Sequence, residues 1–212
     1  MSHFDEVFMY GVSNPAVGVD ITLWYILVFS IVLLTLITAT MIWFVIRYRR
    51  DKHPDPVDIR GNWILETVWM LIPTLIAISM FVIGWQSYLG LREVPDDAIE
   101  IEVYAQMYSW IFVYPNDKET ENELVVPVGS PVKLNITSED VLHSFYLPAF
   151  RIKVDAVKGM ETYAWFQADK LGVFDIHCTE FCGIGHYDMN AVLTIVPQGE
   201  YLEWLETDED DE

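Results

Sequence analysis

Two long stretches without charged side chains constrain what this chain can fold into. The first, Ile21–Ile46, contains no Asp, Glu, Lys or Arg in 26 residues, and the second, Thr67–Trp85, contains none in 19 residues and is interrupted by Pro73. A helix needs about 20 apolar residues to cross a bilayer, and a spanning helix tolerates proline where neighbouring groups satisfy the freed carbonyl. We therefore expect a hairpin of two membrane spans, over about residues 21–46 and 67–88.

The distribution of Lys and Arg predicts the orientation of this hairpin. Residues 1–46 contain neither, whereas the link between the spans contains Arg47, Arg49, Arg50, Lys52 and Arg60. Basic loops stay on the cytoplasmic side, so the loop 47–62 is predicted to be cytoplasmic (or in the matrix), with both termini on the outer face. A cleaved signal is not expected, because the first apolar run is too long and lacks a basic segment before it.

The part of the chain after the second span is strongly acidic. Residues 93–212 contain 25 acidic and 6 basic side chains. Such a field repels nucleic acid and favours a cationic partner, although it is equally typical of a surface adapted for solubility or for a saline habitat. Residues 201–212 are interpreted as an acidic tail, and the chain from Glu200 onwards as a solvated, frayed end.

Short β-rich segments separated by turn residues fill the external region. Eight strands are predicted: Ile99–Tyr104, Tyr108–Tyr114, Leu124–Val128, Val132–Thr137, His143–Leu147, Glu161–Gln167, Gly172–His177 and Ala191–Val196. Strands of this number and spacing indicate an all-β sandwich or barrel with Greek-key connections.

The loop between the last two predicted strands concentrates metal-binding side chains. Cys178, Cys182, His186 and Met189 lie within twelve residues. Thiolate and thioether are soft ligands that select copper, and imidazole suits copper as well. A disulfide between the two cysteines is the alternative, but a disulfide would not require a histidine and a methionine at these offsets.

A further nitrogen ligand is expected, and the chain has five histidines. His3 precedes the first span, His53 lies in the basic loop, and His177 should point to the opposite face of its strand from Cys178. His143 remains, at the start of a strand that a Greek-key sandwich can place beside the strand leading into Cys178. The complete set, with the backbone carbonyl of Glu180, exceeds the needs of one copper and suits two coppers bridged by both thiolates.

At these residues the chain resembles subunit II of the haem-copper (cytochrome c) oxidases, whose dinuclear copper centre is called CuA. The resemblance rests on the hairpin and on four motifs: Glu66–Pro73, Gln106–Asn116, His143–Gly159, and the loop C-x-E-x-C-x3-H-x2-M. It implies a membrane hairpin over residues 1–92 and an external, cupredoxin-like copper domain over residues 93–200. It also implies that the two coppers are bound by His143, Cys178, Glu180, Cys182, His186 and Met189.

The resemblance further implies a function. Electrons from cytochrome c would pass through this subunit to the haem of subunit I, where dioxygen is reduced to water. An aromatic residue, Tyr108 or Trp110, would receive the electrons, and the carboxylate of Glu180 would help to hold magnesium or manganese at the interface with subunit I. Glu66 would mark a proton entrance, although an acidic residue in the first turn also stabilises a helix.

Other protein classes are compatible with parts of the sequence. A membrane-anchored copper chaperone for oxidase assembly is the main alternative, and it predicts cysteines that open a helix in a thioredoxin-like unit. A purely structural module predicts no copper. The membrane would be the bacterial plasma membrane or the mitochondrial inner membrane, and the partners would be other oxidase subunits, lipid and a basic electron donor.

Overall fold

A computed structural model describes residues 14–55, 58 and 60–207. The N-terminal residues that include His3, and the last five acidic residues, lie outside the described part of the chain. The predicted outer position of the N-terminus and the acidic tail beyond residue 207 therefore stay predictions.

Two long helices form the N-terminal part of the chain. Helix α1 is Asn14–Arg47 and helix α2 is Trp63–Arg92. Both are long and apolar enough to cross a membrane, with mean hydropathies of 2.5 and 2.1. Each extends beyond its predicted span. Asn62 begins α2, because its side-chain oxygen accepts hydrogen bonds from the backbone N–H groups of Ile64 and Leu65.

The chain divides into two compact units. One is Ile21–Gln86, which contains most of both helices, and the other consists, in the described part of the chain, of residues 14–20 and 87–207. Within the first unit, Tyr25 and Ser79 join the two helices through a hydrogen bond of 2.7 Å between their hydroxyl groups. A polar contact of this kind between apolar helices fixes their mutual position where the surroundings provide no water.

The second unit is a sandwich of two five-stranded sheets. The first sheet has the order β3-β2-β1-β5-β8 and the second has the order β4-β10-β9-β6-β7. The strands are β1 (Ile99–Gln106), β2 (Ser109–Val113), β3 (Glu119–Glu121), β4 (Glu123–Pro127), β5 (Pro131–Ser138), β6 (His143–Leu147), β7 (Ile152–Ala156), β8 (Thr162–Gln167), β9 (Gly172–Cys178) and β10 (Asn190–Val196). The prediction of two apolar helices followed by an all-β sandwich is confirmed.

Eight of these ten strands coincide with the predicted segments to within two residues. The two that were not predicted from the sequence, β3 and β7, each lie at one of the two edges of their sheet. Edge strands carry charged side chains that suppress pairing with other molecules, and Glu-Thr-Glu in β3 therefore lacks the alternation of apolar residues by which a strand is recognised.

One continuous core of buried apolar side chains joins the two sheets. Trp110 of β2 and Phe145 of β6 face each other across it, with ring centroids 5.3 Å apart and the rings perpendicular. Both side chains are fully buried. This edge-to-face contact fixes the position of β6, the strand that begins with His143.

A short helix, α3 (Gln198–Glu206), follows the last strand. Tyr201 on this helix is buried, and Trp204 packs edge-on against Tyr114 with centroids 5.0 Å apart. Residues 200–206 are therefore ordered against the sandwich, and the prediction of a frayed end from Glu200 is wrong for this segment. The charge pattern dominated that prediction, whereas the two aromatic residues decide the structure.

Replacing Tyr114 by Phe is expected to destabilise the sandwich by about 1–3 kcal/mol, the usual cost of a buried donor left without its acceptor. The Tyr114 hydroxyl accepts a hydrogen bond of 2.8 Å from the buried N–H of Val125, and Tyr114→Phe removes this acceptor while keeping the ring. Denaturant unfolding of the full chain in detergent measures the change, and Tyr187→Phe, at an 82% exposed position, is the control. An unchanged midpoint for Tyr114→Phe would contradict the expectation.

Candidate metal centre

The antiparallel pairing of β6 with β9 places the first part of the centre. Phe145 lies opposite Cys178, and Tyr146 lies opposite His177. Because β6 begins at His143 and β9 ends at Cys178, the imidazole and the thiol meet at one end of the sheet, with His143 Nδ1 3.8 Å from Cys178 Sγ. The prediction that these two strands are neighbours is confirmed.

The loop between β9 and β10 places the remaining side chains. It is closed at its ends by a hydrogen bond of 3.1 Å from the Cys178 N–H to the Met189 carbonyl. Within it, the backbone N–H of His186 donates to the Gly183 carbonyl over 3.2 Å, and a single 3-10 turn follows from His186 to Asp188. These bonds direct the side chains of the loop to a common point.

Five side chains meet at that point. Cys182 Sγ lies 3.9 Å from Cys178 Sγ, 3.6 Å from His186 Nδ1 and 3.8 Å from Met189 Sδ. The side chains of His143 and Met189 are fully buried and both cysteines nearly so, while His186 is half-buried. The backbone carbonyl of Glu180 joins the group at 3.3 Å from Cys178 Sγ, and the Glu180 side chain is half-buried.

This donor set fits a copper centre better than a disulfide. Both cysteines are free, and their sulfur atoms are 3.9 Å apart, whereas a disulfide bond is about 2.05 Å long. A metal–thiolate bond is about 2.3 Å, so one ion can touch both sulfurs at this separation. Sulfur, imidazole and thioether donors in a site closed to solvent select copper over hard cations.

Burial also affects the protonation of the Cys182 thiol. It raises the pKa of Cys182 to about 11, and the neighbouring Cys178 adds to this effect. The metal-free thiol of Cys182 is therefore protonated at neutral pH, since neutral pH lies far below that value. A metal ligand must be the thiolate, so metal binding at Cys182 releases a proton and becomes tighter as the pH rises.

Asp140 is a residue of the centre that the sequence reasoning missed. Its Oδ1 accepts a hydrogen bond of 2.7 Å from His143 Nε2. This bond places the proton on Nε2 and leaves the lone pair of Nδ1 facing Cys178. Partial burial by itself would raise the pKa of Asp140, but hydrogen bonds from His143, Val141 and Met107 outweigh it and keep the pKa below its ordinary value.

The two aromatic candidates for receiving electrons occupy different environments. Trp110 is fully buried, and its ring centroid lies 6.3 Å from that of His143, so it offers no surface to an electron donor. Tyr108 is 38% exposed, and its ring lies on the metal loop beside Gly183 and Gly185.

The remaining residues considered from the sequence lie apart from the cluster. His177 Nδ1 donates a hydrogen bond of 2.8 Å to Asn190 Oδ1. Arg47, the last residue of α1, donates a hydrogen bond of 2.8 Å to His53 Nε2 in the loop between the helices. Glu66 is exposed in the first turn of α2. Within the described residues, the cluster of His143, Cys178 and Cys182 is the group of titratable side chains whose geometry fits a metal ion.

Two models of one protein family match this chain. A family model described as "Cytochrome C oxidase subunit II, periplasmic domain" matches residues 78–196, and one described as "Cytochrome C oxidase subunit II, transmembrane domain" matches residues 6–88. The chain belongs to the cytochrome c oxidase subunit II family. The family implies copper of the CuA type and a membrane-anchored subunit with a periplasmic domain.

Curated relatives support this assignment. Cytochrome c oxidase subunit 2 of Alkalihalophilus pseudofirmus is 33% identical over 193 residues, which cover 85% of this chain and 56% of that protein. The alternative cytochrome c oxidase subunit 2 of Bradyrhizobium diazoefficiens is 29% identical over 192 residues, which cover 74% of this chain and 66% of that protein. The chain thus spans between about half and two thirds of the length of these relatives.

A solved structure supports the fold of the external domain. The crystal structure of the periplasmic domain of subunit II of cytochrome oxidase (CoxB) of Bradyrhizobium japonicum is 32% identical in sequence, with a TM-score of 0.52. The match covers 54% of this chain and 95% of that one. The cupredoxin-like fold predicted for the external domain is confirmed by this likeness.

Asp140→Ala is expected to weaken copper binding by about 10- to 100-fold, the usual effect of removing the hydrogen-bond partner of a metal-binding histidine. Without the carboxylate, the His143 ring loses the bond that fixes its rotation and its tautomer. Competition with a copper chelator measures the affinity of the full chain. Asp175→Ala is the control, because Asp175 is exposed on β9. Equal affinities for wild type and Asp140→Ala would contradict the proposed orientation of His143.

Proposed function

We propose that this chain is the electron-transfer subunit of a terminal respiratory oxidase. It accepts electrons from a c-type cytochrome at a dinuclear copper centre and passes them to the haem of subunit I, where dioxygen is reduced to water. The oxygen-reducing site lies on that other subunit, and the partners of this chain are the other oxidase subunits, lipid and the cytochrome.

One observation carries this proposal. Two free, buried thiols lie 3.9 Å apart, and two imidazole nitrogens, a thioether and a backbone carbonyl lie within 3.3–3.8 Å of one or the other sulfur. We assign His143, Cys178, Glu180 through its carbonyl, Cys182, His186 and Met189 as the ligands. Every donor is then used, so no coordination position is left for a substrate, as an electron relay requires.

The residues of the site have separate tasks. When bound, a copper pair supplies a one-electron couple whose change in charge is shared between two metals and two sulfurs. Cys178 and Cys182 bind from the end of a strand and from the loop, so the rigid sandwich limits how far their sulfur atoms move. Asp140 orients His143, and fully buried Met189 helps to exclude water. Little rearrangement then accompanies a change in charge.

The direction of electron transfer is assigned from the exposure of Tyr108 and the position of Glu180. Tyr108 is the more accessible of the two aromatic candidates, and we assign the arrival of electrons to its ring. Glu180 lies between the two cysteines, and its half-buried carboxylate is the group that we assign to magnesium or manganese at the interface with subunit I. Electrons then leave on the side of Glu180.

The membrane orientation is part of the same proposal. The basic loop between α1 and α2 faces the cytoplasm, and both termini and the copper domain face the periplasm. Glu66 begins α2 on the cytoplasmic side, where a proton entrance would lie. Its exposed position in the first turn is also favourable for the helix dipole, so the role in proton uptake rests on the family resemblance.

Among the described residues, the positions of the two cysteines argue against the chaperone alternative. A thioredoxin-like unit places its cysteines at the start of a helix. Here Cys178 is the last residue of β9 and Cys182 lies in an irregular loop, and both belong to a sandwich of two β-sheets.

Copper loading of the full chain in detergent tests the proposal. We expect the metal content to reach two coppers per chain and the electron paramagnetic resonance spectrum to show one unpaired electron shared by both. His143→Ala should abolish this spectrum, and His177→Ala should preserve it, because His177 bonds to Asn190 outside the cluster. A single copper with a four-line spectrum, or no tight binding, would contradict the dinuclear assignment.

The acidic external domain predicts a dependence on salt. Turnover of the assembled oxidase with a basic cytochrome c should fall as ionic strength rises from about 0.01 M to about 0.1 M, because the Debye length shrinks from about 30 Å to about 10 Å. Steady-state rates measured over this range provide the test. Rates that do not respond to salt would instead support a surface adapted for solubility.

A further inference from the structure

We propose that the turn Met107–Tyr108, which joins β1 to β2, is a positioning element that holds together the two separate halves of the metal centre. The inference rests on the proposed function, because it assumes that His143 and the loop from Cys182 to His186 bind the same copper centre. No motif of the metal loop includes this turn, which lies 70 residues before Cys178.

The first contact of the turn is with the metal loop. The Tyr108 ring lies over Gly183 and Gly185, the two glycines between Cys182 and His186. A Cβ atom on Gly185 would come within 2.6 Å of Tyr108 Cγ and 2.8 Å of Cε2. Contacts under 3.0 Å are essentially never observed for a Cβ, so only a glycine lets the ring lie this close to the loop.

The second contact of the turn is with the other half of the centre. The backbone N–H of Met107 donates a hydrogen bond of 2.7 Å to Asp140 Oδ2. The other oxygen of the same carboxylate accepts from His143 Nε2, also over 2.7 Å. Asp140 is thus shared between the turn and His143.

Together the two contacts make a continuous path from one ligand segment to the other. It runs from His143 through Asp140 and Met107 to Tyr108, and from there to Gly185 beside His186. The hairpin itself is fixed by the antiparallel pairing of Gln106 with Ser109. A rigid hairpin that touches both segments restricts their relative movement, as the groups around a metal site commonly do for its ligands.

The two glycines differ in a way that makes the inference testable. Gly183 has a φ of +137°, a conformation that strains any other residue. Gly185 has φ −85° and ψ 6°, the conformation of the third residue of a type I turn, which is compatible with most residues, including alanine. The obstacle to alanine at position 185 is therefore the Tyr108 ring and not the backbone.

The test is a double-mutant cycle in the full chain. Tyr108→Ala and Gly185→Ala should each lower copper affinity by about 10- to 100-fold, the range seen when support around a metal ligand is lost. Each should also alter the copper hyperfine splitting in the electron paramagnetic resonance spectrum. In the Tyr108→Ala background, Gly185→Ala should add almost nothing, since the ring that it displaces is already gone. Gly199→Ala, at a position where no atom lies within 4 Å of the added Cβ, is the matched control.

Two further measurements separate positioning from other roles. Tyr108→Phe keeps the ring and should restore the wild-type hyperfine splitting. In metal-free protein, Tyr108→Ala should make the two thiols react several-fold faster with a soluble thiol reagent, because the loop that buries Cys182 opens more often. This readout needs neither copper nor an electron donor, so it remains informative if the dinuclear assignment fails.

Three outcomes would overturn the proposal. The first is a Tyr108→Ala protein with wild-type hyperfine splitting, copper affinity and thiol reactivity. The second is full additivity of Gly185→Ala and Tyr108→Ala, which would show that the ring and the glycine do not depend on each other. The third is a Tyr108→Phe protein as impaired as Tyr108→Ala. Should Tyr108→Ala fail to fold, unchanged thiol reactivity and hyperfine splitting in Gly185→Ala alone would also contradict it.

Discussion

The antiparallel pairing of β6 with β9 is the interaction on which the rest of the centre depends. Its register places Phe145 opposite Cys178, and so brings His143 Nδ1 to 3.8 Å from the Cys178 sulfur. A slip of one residue would turn every side chain of β6 to the other face of the sheet. The buried edge-to-face contact of Phe145 with Trp110 opposes such a slip, so the hydrophobic core and the metal centre specify the same register.

The centre combines a rigid part with a part that must be held in place. Cys178 belongs to a strand, whereas Cys182 and His186 lie in an irregular loop with several exposed apolar side chains. Burial disfavours the charged form of the Cys182 thiol, and its pKa is therefore raised. Removal of the Cys182 proton without a metal would leave an uncompensated charge in a buried site, which links formation of this thiolate to metal binding.

Parts of the fold could be predicted from the sequence because their signal is local. The bounds of β6 agree with the prediction, and both apolar stretches lie within helices. Strand β3 was not predicted because Glu-Thr-Glu has no alternation of apolar residues. Strand β7 was not predicted although Ile-Lys-Val-Asp-Ala does alternate. The role of Asp140 was not predicted either. An aspartate three residues before a metal-binding histidine could have indicated it, since such histidines need a hydrogen-bond acceptor. The segment around Tyr201 and Trp204 is helical and not frayed, despite its acidic residues, because these aromatic side chains pack against the sandwich.

The sequence by itself determined the membrane-spanning segments, the all-β external domain and the chemical kinds of donor, because these follow from composition and from spacing over a few residues. It also singled out His143, by elimination among five histidines. Only the tertiary structure decided that the sulfur atoms lie 3.9 Å apart, that Trp110 is buried, and that the Tyr108 ring rests on Gly185. These features depend on strand register and on contacts between residues distant in sequence, and a sequence pattern records neither.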